Sequence, residues 1–235
     1  MANITLLHLY PQTLKLNGEV GNVTALKVRA GLYGHELKIS HVEVGQALPK
    51  KRPNIVFIGS GTLAGTKLAQ ADLVSKEFEL HQWIAAGTKV VAVGSGFDLI
   101  SQELILESGE ALRGLGLTNT THHITGRHLV GEVTLTNGFA GFVNSDRKIV
   151  RGSNDFVLGK VTRSDEAGLV DFLDGYFDGK VLGSVVQGPL LPMNPGLADK
   201  ILSSVAKLPA KTAAVKKLDS LASKARDAIS GRVGR

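Results

Sequence analysis

The 235-residue chain is predicted to be an α/β protein with a mostly parallel central sheet, helices on both faces, antiparallel later strands and C-terminal helices. Three observations lead there. Strand-like and helix-like patterns alternate through the first half, which favours a parallel sheet covered on both sides. Residues 55–58 and 89–93 are short apolar runs without polar alternation, suited to strands buried on both faces, and each runs into a glycine turn, Gly59-Ser60-Gly61 and Gly94-Ser95-Gly96. Beyond residue 117 the texture changes to short β-prone stretches divided by turn residues.

Residues 3–10 read as a strand that Pro11 closes. A loop through Asn17-Gly18-Glu19-Val20-Gly21-Asn22 then opens a helix near 22–33. Residues 36–44 alternate like a strand. Strand 55–58 leads into a helix through roughly 66–86, and strand 89–93 into a helix near 97–108. Later strands are expected at 128–136, 140–143 and 181–186. Asn137-Gly138 is a strong hairpin signal because a two-residue turn needs positive φ at both positions. Further turns are expected at Gly152-Ser153-Asn154-Asp155, Gly175 and Asp178-Gly179. Pro189, Pro192 and Pro195 break regular structure, and a helical region is expected over about 196–229. There Val215, Leu218, Leu221, Ala222, Ala225 and Ile229 share one face. The expected organisation is one α/β domain over 1–199 and a basic helical extension over 200–235, packed on the domain or on a partner.

The net charge of +6 is unevenly placed. Residues 200–235 hold nine Lys/Arg against two Asp, which leaves 18 Lys/Arg against 19 Asp/Glu in the body. A neutral body with a basic tail, lacking stacking aromatics and a recognisable module, argues against nucleic acid as a partner. Cysteine is absent, so disulfides and thiolate metal sites are excluded. No run reaches membrane-spanning length, and the first residues lack a basic segment followed by a long apolar one; a cytoplasmic protein is expected.

Two segments carry the functional signal. One is Lys89-Val90-Val91-Ala92-Val93-Gly94-Ser95-Gly96-Phe97-Asp98-Leu99-Ile100, an apolar run entering a glycine turn and a helical pattern. The other is Gln187-Gly188-Pro189-Leu190-Leu191-Pro192-Met193-Asn194-Pro195. With Leu9-Tyr10-Pro11, Asn17 to Asn22, Ile55 to Gly61 and Gly138-Phe139-Ala140-Gly141-Phe142-Val143-Asn144, they resemble class I glutamine amidotransferases. The nearest likeness is to the glutaminase subunits of lipid II isoglutaminyl synthase, of the cobyric-acid-synthase-like type. The resemblance spans nearly the whole chain and implies a flavodoxin-like amidotransferase fold.

In that family the strand-to-helix turn carries a cysteine nucleophile, and the second segment begins with the histidine that activates it. The matching positions here are Gly94 and Gln187. Amide hydrolysis through a thioester needs a thiolate and a base. Gly94 has no side chain, and the amide of Gln187 does not titrate. Other loop positions depart as well: Asn17 and Glu19 replace an aromatic and an aspartate, and Thr62-Leu63-Ala64-Gly65 lacks the acidic and amide residues expected after the glycine loop. Ser95 offers a hydroxyl one residue late, aimed elsewhere, and Val93 stands where a G-x-S-x-G elbow has its first glycine.

No catalytic residue is therefore expected, and the vacated substrate-like pocket is drawn from Gly59, Ser60, Gly61, Ser95, Arg127 and Gln187. Arg127 resembles the family's basic residue before a Gly-Glu step, and a guanidinium there can hold a carboxylate bidentately; an ordinary surface salt bridge is the alternative. No metal is expected, since the neighbouring His122 and His123 point to opposite faces of an extended segment and His128 adds no helical spacing. Gly59 to Ala64 fits a loose dinucleotide pattern without its acidic partner, so no cofactor is expected.

The resemblance implies a pseudoenzyme: a non-catalytic partner or regulator of a Mur-ligase-like synthetase, which amidates the glutamate of the peptidoglycan stem peptide. Two alternatives stand beside it. One is an active hydrolase built on Ser95 and one of His122, His123 or His128. The other is a sensor whose emptied pocket holds glutamine or glutamate.

Overall fold

Along β1 (Asn3–Leu9), Ile4 and Leu6 enter one hydrophobic core and Leu7 and Leu9 the other, so the strand is buried on both sides. In the computed structural model, which describes residues 1–153 and 156–234, there follow α1 (Val20–Leu32), β2 (Glu36–Val42), β3 (Ile55–Ile58), α2 (Leu63–Ser75), α3 (Glu77–Ala85), β4 (Lys89–Val93) and α4 (Ser95–Ile100). Next come β5 (Glu103–Ile105), β6 (Ala111–Arg113), β7 (Thr120–Leu135), β8 (Ala140–Arg151), β9 (Gly159–Ser164), β10 (Leu173–Asp174), β11 (Tyr176–Phe177), β12 (Val181–Ser184) and β13 (Val186–Gln187). The chain closes with α5 (Leu190–Met193), α6 (Pro195–Ser203) and α7 (Ala213–Val233).

The first sheet has the order β11-β12-β4-β3-β1-β2. All its pairings are parallel except that of the edge strand β11. Numbered along the chain, the parallel strands lie in the order 2-1-3-4-5, the flavodoxin-like winding, in which ligands meet the carboxyl ends of the strands. The loops after β1, β3 and β4 all emerge at that edge. Val23 and Leu26 of α1 cover one face, while Leu73, Leu80 and Trp83 of α2 and α3 cover the other.

The later strands pair largely antiparallel, as expected, but most of them build a second sheet, and of the expected strand at 181–186 the part in β12 extends the first sheet parallel to β4. Its centre is the β7–β8 hairpin, turned at Asn137-Gly138, where Gly138 has φ +76°. The Asn154-Asp155 part of the expected turn at 152–155 lies outside the described residues. Val133, Leu135, Val143 and Val161 of this sheet share one core with α1 and α6. Helix α7 packs against α1, α5, β7 and β8, bridging the two halves. Arg29 of α1, nearly fully buried, donates to Asp199 at 2.7 Å and to Asp219 of α7 at 2.8 Å.

Three helix expectations need correction. The run through 66–86 is two helices that part at Lys76. The helix at 97–108 begins at Ser95 and stops at Ile100. There Ser101 turns extended, its hydroxyl donates to Asp98 O, and the chain runs on into β5. The region 196–229 is likewise two helices, separated by a stretch that contains Pro209.

Candidate functional site

At the end of β4 the chain makes a sharp turn into α4 in which Gly94 has φ +60° and ψ −126°. Few side-chain-bearing residues tolerate that conformation. It is the geometry of an elbow that lifts a nucleophile out of a sheet, here without one. A Cβ built on Gly94 would come within 2.5 Å of Ser60 Cβ and 3.1 Å of Gln187 Nε2. The structure thus brings Gly94, Ser60 and Gln187 together, and Ser60 takes up the space a side chain on Gly94 would need.

The backbone amides around the elbow are already engaged. Ser95 N–H donates to Ser60 Oγ at 3.3 Å, and Gly61 N–H donates to Ser95 Oγ at 2.8 Å. The amide after the nucleophile position and one from the loop after β3 are the donors an oxyanion hole would use. Two serine hydroxyls cap both. Ser95 Oγ is consequently an acceptor, and among the described residues no histidine is hydrogen-bonded to it.

Gln187 sits in β13, paired antiparallel with Phe142 of β8, and is buried. Its Oε1 accepts from Asn17 Nδ2, and its Nε2 donates weakly to Asn144 O at 3.4 Å. Asn17 reaches it from a left-handed conformation that Asn accepts more readily than most residues. Asn144 Oδ1 in turn pairs with His128 Nε2. Gln187 is thus one link in a chain of amides that runs from Asn17 to Asn144.

These groups line a cavity of about 670 Å³, with Gly61, Asp98, Glu107, Asp146 and Arg147 among its further walls. Arg127 is exposed and lies instead on a neighbouring cavity. The cationic group at the elbow cavity is Arg147, which sequence reading passes over together with its partners. Arg147 Nε donates to Asp98 Oδ2 at 2.9 Å, and its Nη1 to Asp146. Burial works against its charge, but the two carboxylates more than offset this and hold the guanidinium firmly protonated. Asp98 Oδ1 also shares a 2.7 Å hydrogen bond with His122 Nδ1, and His122 Nε2 lies 3.1 Å from Thr120 Oγ1. His122 is fully buried and has both ring nitrogens engaged. The one signal for this network is a carboxylate, Asp98, inside the otherwise apolar start of α4.

Beneath the loops lies Glu19, which is 1% exposed. Burial pushes its pKa up to about 8, although the 2.8 Å bond from Asn22 Nδ2 pulls the other way. Its Oε1 has no hydrogen-bond partner among the described residues. The segment that starts at Gln187 serves packing. Asn194 exchanges hydrogen bonds with both backbone groups of Ala140, Leu191 N–H donates to Asn22 Oδ1, and a Cβ on Gly21 would strike Pro189 Cγ at 2.6 Å. Among the described residues no three His, Cys, Asp or Glu side chains group as metal ligands, and no helix is long and apolar enough to cross a membrane.

No family model matches the chain. It is similar to the GatD subunit of lipid II isoglutaminyl synthase (glutamine-hydrolyzing) of Streptococcus pneumoniae, 24% identical over 210 residues, which are 87% of this chain and 81% of that one. The corresponding subunit of Staphylococcus aureus is 25% identical over 204 residues, 86% of this chain and 84% of its own. A crystal structure of a glutamine amidotransferase superposes with a TM-score of 0.54 at 17% identity, covering 85% of this chain and 98% of that one. The fold is therefore that of a glutamine amidotransferase.

Proposed function

We propose that this chain is a glutaminase-like subunit that no longer hydrolyses glutamine and serves as the non-catalytic partner of a Mur-ligase-like synthetase in the amidation of peptidoglycan glutamate. Similarity to two GatD subunits over more than four-fifths of the chain supports the pathway and the synthetase partner. One observation carries the loss of activity: Ser60 occupies the space a nucleophile on Gly94 would need, while the elbow amides are spent on Ser60 and Ser95 hydroxyls. A nucleophile lost alone could be replaced from nearby. Nucleophile, base and anion-stabilising donors altered together leave no acyl-transfer step to support.

Hydrolysis through Ser95 lacks geometric support, since its hydroxyl accepts from Gly61 and, among the described residues, no base is hydrogen-bonded to it. The open cavity of about 670 Å³ favours a second reading, retention of a small ligand such as glutamine or glutamate without turnover. The test is affinity capture of the tagged chain from its own cytoplasm, read by mass spectrometry. Recovery of a Mur-ligase-like synthetase near one-to-one stoichiometry is expected. Its absence, with a thermal shift by glutamine, would favour the sensor instead.

A further inference from the structure

On the α1 side of the first sheet a row of rings crosses three strands. His8 of β1 is in parallel register with His41 of β2 on one side and with Phe57 of β3 on the other. Residues in register on neighbouring parallel strands point to the same face, so the three rings stand side by side. The His8 and Phe57 centroids lie 5.1 Å apart and those of His8 and His41 5.8 Å apart, each pair meeting edge to face.

A polar ring is out of place in this row. The residues that precede His8 on the same face, Ile4 and Leu6, share a core with Phe57 and with Val23 and Leu26 of α1, and His8 itself is only 3% exposed. Its Nε2 is buried without a hydrogen-bond partner among the described residues. Buried polar atoms of native proteins are nearly always satisfied, and an orphan calls for a specific explanation. Burial, and after it the neighbouring His41, lower the His8 pKa to about 4, so near neutral pH the ring is uncharged. That is the protonation state in which imidazole binds a metal.

His41 meets the needs of a second ligand. It is exposed on the edge strand of the sheet, and its ring makes no hydrogen bond to any described residue. A metal bound about 2.0–2.1 Å from a ring nitrogen lies roughly 3.2 Å from that ring's centre, so two imidazoles sharing one ion have centroids roughly 5–6 Å apart at ordinary bond angles. The observed 5.8 Å falls within that range.

We propose that His8 and His41 hold one divalent transition-metal ion of the zinc type between their imidazoles, with water completing its coordination. Among the described residues no carboxylate joins the pair as a third ligand. Nitrogen ligands alone favour Zn²⁺, Cu²⁺ or Ni²⁺ over the hard, oxygen-seeking Mg²⁺ and Ca²⁺. Neither histidine is among the walls of the elbow cavity, and the site does not depend on the function proposed for the elbow.

Titration of Zn²⁺ into the ¹⁵N-labelled full-length chain, read at the imidazole nitrogens by NMR, tests this. Saturable binding of one ion per chain is expected, with the His8 and His41 resonances shifting together and no response to Mg²⁺ at the same concentration. His41→Ala should weaken binding at least about tenfold, since losing a ligand costs no less than losing an outer-shell partner. Because His41 is exposed, that variant reports on the site and not on folding. His8→Phe, which continues the ring row from Phe57, should weaken binding as much. Combining the two should add little to either, because residues that share one ion act together. Unchanged zinc affinity in His41→Ala would overturn the proposal. So would zinc shifts confined to His35, His81, His122, His123 or His128, or an equal response to Mg²⁺.

Discussion

Ser60 fills the position toward which Gly94 would point a side chain, its Cβ only 2.5 Å from where a Cβ on Gly94 would lie. Gly94→Cys alone should therefore leave the chain inactive and less stable. Overpacking of about 1–3 kcal/mol and a positive φ worth about 1 kcal/mol sum to about 2–4 kcal/mol. Adding Ser60→Gly should recover at least about 1 kcal/mol, since residues in contact couple. Urea denaturation of the two singles and the double measures this, and strictly additive effects would contradict the steric conflict.

Ser95 is held as an acceptor. A fluorophosphonate probe should leave it unmodified at neutral pH, as mass spectrometry of the intact chain would show. Ser95→Ala frees the Gly61 amide and should cost about 1 kcal/mol of stability. Stoichiometric labelling at Ser95 would revive the hydrolase reading.

Glu19 gives the fold a pH dependence of defined sign. Its folded pKa of about 8 lies above the usual 4.5, so the folded chain keeps a proton that the unfolded chain releases. Stability from this group falls as pH rises from about 4.5 to about 8. Glu19→Gln keeps an acceptor for Asn22 and removes the titration. The variant's stability advantage should grow across that window and be constant outside it. His8, whose pKa burial and then His41 lower to about 4, contributes the opposite slope between about 4 and 6.5, but it is common to both proteins and cancels in the difference. A flat difference across the window would rule out the buried neutral carboxyl.

Arg29 ties α1 to α6 and α7 through Asp199 and Asp219. Removing one partner of a largely buried pair exposes the others' cost, here discounted because both aspartates retain some solvent contact. Arg29→Met should destabilise by about 2–3 kcal/mol. It should also make the stretch between α6 and α7 the first site of limited proteolysis. An unchanged cleavage pattern would mean that apolar contacts alone hold α7.

Local pattern carried much of the fold. The apolar runs at Ile55–Ile58 and Lys89–Val93 and their glycine turns read correctly because two-sided burial leaves an unbroken apolar string. The end of α4 was not legible. Phe97, Leu99, Ile100 and Leu104 fit a continuing helix as well as a short helix followed by a strand, and the Ser101 hydroxyl that stops it looks like any other serine. That β7 pairs with β8 was signalled by Asn137-Gly138, whereas the separate second sheet depends on pairings far apart in sequence, such as β5 with β7 and β8 with β13. The site divides the same way. That Gly94 and Gln187 offer neither a thiol nor an imidazole is plain from their own side chains, while the Asp98–His122–Arg147 network joins three segments that no local spacing links. Arg127 lies three residues past Ile124 in an irregular stretch of β7 that includes Gly126 at φ +68°, and a strand bulge of that kind moves a side chain to another surface.

Whether the elbow is silent is decided by ammonia release from glutamine, assayed with the purified chain alone and with the synthetase proposed as its partner and ATP. The expected result is no release above the buffer rate in either case, with amidation by the pair supported only by added ammonium. Turnover of glutamine by the chain, alone or in complex, would contradict the account.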